Sequence, residues 1–195
     1  MLKLDNISLK YGKNTVIDSL SYDFAQGKVT LIRGASGVGK TSLLNIMAGL
    51  IKPSSGKVTL NAPRIAYVFQ EPRLFEWLTV LENVSTVSDE PRAVEMLSLM
   101  HLSDSVSKYP SELSGGMKQR VSIARALAYD ADIVFLDEPF KGLDSELRRE
   151  ISDIVFDKLR GKTVILVSHD ESDSAYADIE LNLYASSLVM VKSNI

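Results

Sequence analysis

Cysteine is absent from the 195 residues of this chain. That excludes disulfides and thiolate metal ligands, and it fits a reducing compartment. Long apolar runs are missing too: none approaches the ~18 residues of a membrane-spanning helix. The opening "MLKLDNISLKYGK" mixes charge into its apolar positions and has no signal-peptide hydrophobic region. Charge of one sign is also scarce. Lys and Arg number 22 against 25 Asp and Glu, a net charge of -3 with no basic block. Nucleic acid is therefore not expected as a partner. These absences predict a soluble, cytoplasmic chain whose contact with a membrane would be indirect, through other chains that span it.

Hydrophobic residues make up 45% of the sequence and charged residues 24%. That is enough to bury a core, in one domain or a core with a small subdomain. Leu2, Leu4, Ile7 and Leu9 interleave with polar residues, as does "SLSYDF" (Ser19 to Phe24), which predicts half-buried antiparallel strands. "KVTLIRG" reads as a short buried strand ending at Gly34. A helix follows with Leu43, Leu44, Met47 and Leu50 on one face, then a turn at "KPSSGK" and a strand over "RIAYVFQ". From Pro72 to about Tyr129 helical spacing replaces strand signals. "DIVFLDEP", a charged helix from Ser145 to Arg160, "KTVILVSH", a short helix and two terminal strands complete the pattern. The expectation is an α/β fold: a P-loop NTPase core with a mixed sheet, an N-terminal antiparallel β subdomain and a small helical subdomain. Residues 1–70 and 130–195 would form the core and about 71–129 the helical part.

"GASGVGKT" matches the phosphate-loop pattern and lies between a strand and a helix, as that pattern requires. Backbone amides of Gly34, Ala35, Ser36, Gly37, Val38, Gly39 and Ser42 would surround phosphates. Lys40 would reach the β- and γ-phosphates of ATP, and the Thr41 hydroxyl would hold Mg²⁺. Asp137, ending an apolar strand, can complete the Mg²⁺ shell, and Glu138 beside it can act as general base. Gln70 ends a strand and can orient water or touch Mg²⁺. His169 follows another apolar strand and should project from the carboxyl edge of the sheet, where open α/β folds bind ligands. His101 has no such setting and is read as structural.

A second glycine pair occurs at "LSGGMKQR" (113–120). Joined in order to the phosphate loop, "LDEP" and "SH", it resembles the ATP-binding subunits of ABC transporters. The resemblance covers nearly the whole chain. It implies a homodimer, or paired cassettes, packed head to tail, with Ser114, Gly115 and Gly116 of one copy closing over the γ-phosphate held by the other. It further implies that Tyr11 stacks on adenine beside Val16. By the same carry-over Gln70 links the γ-phosphate to a membrane partner, Asp144 lies at the dimer seam, and His169 contacts the γ-phosphate. "FQEPRLFEWLTVLENV" and Met117 look like the nitrate, sulfonate and taurine import ATPases. Phe75 and Trp77 would then meet transmembrane permease subunits, with the chain peripheral on the inner face of the cell membrane. The helical insert is shorter than usual, the tail after His169 is short, and Lys141-Gly142 replaces the usual small residues. Alternatives are a lipoprotein-release or membrane-remodelling ABC ATPase and a soluble non-transport one. An unrelated P-loop kinase would leave "LSGGMKQR" unexplained.

Overall fold

The computed structural model describes residues 1–184 and 187–193. Along the chain run β1 (Leu2–Tyr11), β2 (Asn14–Phe24), β3 (Val29–Arg33), α1 (Lys40–Met47), β4 (Ser55–Leu60), β5 (Ile65–Val68), α2 (Val80–Ser85) and α3 (Glu90–Leu99). They are followed by α4 (Gly115–Ala128), β6 (Ile133–Asp137), α5 (Ser145–Lys158), β7 (Thr163–Val167), β8 (Ile179–Tyr184) and β9 (Ser187–Ser193). Two compact units result. The first holds Met1–Ile65, Asp132–Asp137 and Gly161–Ile195, and the second Ala66–Ala131 and Glu138–Arg160.

The first unit contains two sheets. β2, β1 and β4 form an antiparallel one in that order. In the other, β6, β7, β3 and β8 lie side by side in parallel, and β9 closes the edge antiparallel to β8. This is the mixed sheet expected from the sequence. Every residue of β6 ("IVFLD") and β7 ("TVILV") is buried. Such β-branched runs without alternation are what strands covered on both faces require. α1 buries Leu43, Leu44, Ile46 and Met47.

Several boundaries differ from expectation. β2 starts at Asn14, not Ser19. Leu50 is 55% exposed beyond the end of α1, because the helix stops before Gly49. β4 was hidden in a stretch that reads as a turn. Its first three residues are exposed, so it lacks apolar alternation, and pairing with β1 defines it. β5 ends at Val68, so Gln70 lies two residues past the strand instead of ending it. The short helix after His169 is a 3₁₀ turn, Glu171–Ala175.

In the second unit, side-chain caps set the helix starts. Thr79 and Glu82 form a reciprocal box at α2, and Asp89 caps α3 with Pro91 in its first turn. Ser114 caps α4 and Asp144 caps α5. α2, α3 and α4 pack on one another through Val80, Val84, Ala93, Met96, Leu97 and Val121, all fully buried. Asn83, also fully buried, anchors the loop before α2. Its amide donates to the carbonyls of Phe75, Leu78 and Thr79, each at 3.0 Å, and its Oδ1 accepts from the Phe75 N–H at 2.8 Å. Asn83→Ala strands these groups and should lower the unfolding free energy by about 2–3 kcal/mol. Urea unfolding measures this, and a loss below ~0.5 kcal/mol would deny Asn83 that anchoring role.

Candidate active site

In the first unit the turn from β3 into α1 is built on left-handed backbone. Gly39, the N-cap of α1, has φ +107°, and a Cβ there would stand 2.6 Å from Val16 Cγ1. Only glycine fits both the angle and the contact. Val16 therefore packs beneath the loop. Lys40 is nine-tenths buried, and its Nζ spans the loop to the carbonyls of Gly34 at 2.8 Å and Ala35 at 3.0 Å. Ala35, Ser36, Gly37 and Thr41 are exposed, Gly34, Val38 and Ser42 partly so. Exposed amides at a helix start, with an ammonium beside them, make an anion cradle.

Asp137 ends β6 at 1% exposure. The Thr41 hydroxyl bonds to its carboxylate, while Oδ1, buried, has no hydrogen-bond partner. Burial pushes the Asp137 carboxyl above the usual carboxylate range; the Thr41 bond and the nearby Lys40 and His169 pull it back only partly. Among the described residues no group of three or more His, Asp or Glu could hold a metal unaided. Mg²⁺ takes few protein ligands and completes its shell with substrate phosphate and water. The Thr41–Asp137 pair, with an orphaned carboxylate oxygen, fits that requirement. His169, two residues past β7, is exposed and close enough to act on Asp137. Tyr11, at the end of β1, is 54% exposed, as an aromatic meant to stack on a base would be.

The second unit carries the rest. Glu138 is buried at 8% exposure and holds φ +48°, an uncommon left-handed conformation for a side chain of its size. Ser114 accepts from the Met117 N–H at 3.2 Å, and the α4 amides start at Gly115. A Cβ on Gly116 would lie 3.0 Å from the Gly142 carbonyl, whereas one on Gly115 would meet nothing within 4 Å. One glycine of the pair is thus needed for packing and the other lies open. Ser114, Gly115, Gly116, Gln70 and Lys141 line an open depression of 410 Å³. Asp144, expected at the dimer seam, accepts from the Leu147 N–H at 3.0 Å as the cap of α5.

Sequence reasoning passed over Gln119 and Arg120 as residues with work of their own. Gln119 is buried and donates to the Phe69 carbonyl at 3.2 Å, tying α4 to the segment that leads into Gln70. Arg120 donates to the carbonyls of Met100 and His101 at 2.6 and 3.1 Å, capping the end of α3. His101, expected to be structural, takes φ +54° there, and its Nε2 lies 3.1 Å from Glu150 Oε1. Phe75 and Trp77 are 40% and 74% exposed with ring centroids 5.4 Å apart, on the loop that Asn83 anchors.

The Asp137 shift has a stability consequence. A raised pKa means the folded chain binds the proton more tightly than the unfolded chain. The ionised carboxylate therefore costs stability, increasingly as pH rises through the folded value. In Mg²⁺-free buffer at neutral pH, Asp137→Asn should raise the melting temperature by about 2–4 °C, a gain that disappears below about pH 4. Calorimetry across pH tests this, and equal or lower melting at neutral pH would contradict the burial argument.

Residues 17–141 match the ABC transporter family. The chain is 41% identical over 184 residues to the aliphatic sulfonates import ATP-binding protein SsuB of Bacillus subtilis, covering 87% of this chain and 72% of that protein. It is 36% identical over 196 residues to the taurine import ATP-binding protein TauB of Roseobacter denitrificans, covering 89% and 73%. Among solved structures, a dimeric post-hydrolysis ATP-binding cassette bound to ADP and Pi superposes with a TM-score of 0.91. It is 29% identical to this chain, and the match covers 100% of this chain and 99% of that one. With its phosphate loop, buried strand-end aspartate and serine–glycine helix start, the chain belongs to the ABC transporter family as one of its ATP-binding, ATP-hydrolysing cassettes.

Proposed function

We propose that this cassette powers an importer of sulfonate-like or related small anions, working as a dimer beneath separate membrane-spanning subunits. Similarity to sulfonate and taurine import proteins supports the direction and the cargo class. No helix among the described residues is long and apolar enough to cross a membrane. Phe75 and Trp77, held out by Asn83, are the surface for that contact. In this reading residues 1–70 and 130–195 form the catalytic core and about 71–129 the helical subdomain.

The observation that carries the dimer is that Ser114 and Gly115, at the start of α4, are both exposed. These groups of one copy donate to the γ-phosphate held on the other copy's loop. Within that loop Lys40 and the amides of residues 34–42 bind the β- and γ-phosphates, and Tyr11 stacks on adenine beside Val16. Thr41 and Asp137 would hold Mg²⁺, which would supply neutralisation of phosphate charge. Glu138 takes the proton of the attacking water as its oxygen bonds to the γ-phosphorus and the bond to ADP breaks. His169 donates to a γ-phosphate oxygen, Gln70 orients the water, and Asp144 lies at the seam between copies. Closure of the dimer converts binding energy into a conformational step.

Glu138→Gln should bind ATP with wild-type affinity, lose at least roughly 100-fold in turnover and accumulate as an ATP-bound dimer. Steady-state hydrolysis with size-exclusion chromatography reads both, and near-normal turnover would remove Glu138 from the reaction. Lys40→Ala should weaken ATP binding itself. Hydrolysis that persists at full specific rate when wild-type protein is diluted to monomer would sink the shared site.

A further inference from the structure

Arg33 is the last residue of β3 and stands immediately before Gly34, where a phosphate loop needs no charge. A part-buried guanidinium is unfavourable unless its hydrogen bonds are answered. Here one edge of the fork is ion-paired and a terminal nitrogen is hydrogen-bonded. Nε lies 3.6 Å from Oε2 of Glu180 on β8, a carboxylate only 9% exposed that Lys192 of β9 also approaches at 3.8 Å. A terminal guanidinium nitrogen donates to the Asp170 carbonyl at 3.0 Å and to Ser174 Oγ at 2.8 Å.

These last two acceptors belong to the segment that follows His169. Asp170 Oδ1 accepts from the Ser172 N–H and hydroxyl at 2.9 and 2.7 Å, while the Asp170 N–H donates to Ser168 Oγ at 3.1 Å. The turn after His169 is therefore closed on itself and then pinned to β3 at two points by one side chain. The imidazole stays exposed while the peptide that bears it is fixed.

We propose that Arg33 is the positioning residue for His169: it locks the turn carrying the imidazole to the strand carrying the phosphate loop, so that both meet the γ-phosphate in one geometry. This rests on the reading of His169 as a γ-phosphate contact. A planar fork is suited to the task, since it answers Glu180 with one edge and the turn with the other. An ammonium would have to choose.

The test measures kcat and KM for ATP together with a double-mutant cycle against His169→Ala. Arg33→Ala should lower kcat tenfold or more, the scale of a sub-ångström misplacement, with KM unchanged within about twofold. Arg33→Lys should retain an intermediate rate. Ser174→Ala, which deletes one hydroxyl, should lower kcat roughly two- to tenfold, and it keeps the test alive if Arg33→Ala does not fold. In the His169→Ala background these changes should have little further effect, because a residue acting through His169 has nothing left to position. A merely structural role would instead multiply the losses in full. Multiplicative losses, or a normal kcat in both Arg33→Ala and Ser174→Ala, overturn the proposal while leaving His169 in place. Normal turnover in His169→Ala alone overturns the reading beneath it.

Discussion

Three buried parallel strands that stop at a common edge determine where chemistry can occur in this chain. The register pairs Asp137 with Val167 across β6 and β7, and Val167 with Ile32 across β7 and β3. The next residues along β7 and β3 are Ser168–His169 and Arg33–Gly34. Asp137, the histidine and the phosphate loop thus come level because hydrogen-bond ladders set the ends of these strands. A one-residue slip would reverse every side chain on the slipped strand, and with both faces buried that is prohibitive.

That edge is bought with local instability. Asp137 is an anion pressed into an apolar strand end, with one oxygen unanswered. Glu138 holds a backbone angle that suits glycine. Lys40 is buried with two carbonyls as its acceptors. A metal–phosphate complex in the loop would answer two of these, with a cation for Asp137 and anionic oxygens for Lys40. The strands at this edge supply compensating burial through Leu31, Ile32, Phe135, Leu136 and Ile165, all at most 1% exposed.

The same logic separates what could be read in the sequence from what could not. The phosphate loop, the strand-end Asp137 and Glu138 and the start of α4 were legible because each is a local pattern: short apolar runs, glycines at fixed offsets, a serine cap. The mixed parallel sheet followed from strands alternating with helices. β4 was not legible, since an edge strand whose first half is exposed carries no apolar period and takes its identity from β1. Leu50 has the right helical spacing, yet a helix that ends before Gly49 leaves it outside. Asp144 reads by motif as a dimer-seam residue, and within the chain its side chain also caps α5. Arg33 and Gln119 were invisible for a different reason. Their partners lie 137 and 50 residues away, and nothing local distinguishes them from an ordinary basic or amide side chain.

α4 brings the consequences together within the second unit. Its first turn presents Ser114 and Gly115, while Gly116 is fitted so closely to Gly142 that the start of the helix cannot shift without the segment between Glu138 and Asp144. Further along, Gln119 holds the Phe69 carbonyl, and Arg125 donates to the Arg73 carbonyl at 2.6 Å. Those bonds bracket Gln70 and lead into the loop that displays Phe75 and Trp77. One helix therefore carries the serine–glycine start at one end and, by backbone-directed bonds, the segment bearing Gln70 and the exposed aromatics. What joins the serine–glycine start to the segment bearing Gln70 and the exposed aromatics is thus α4 and two hydrogen bonds to main-chain oxygens, which no motif records.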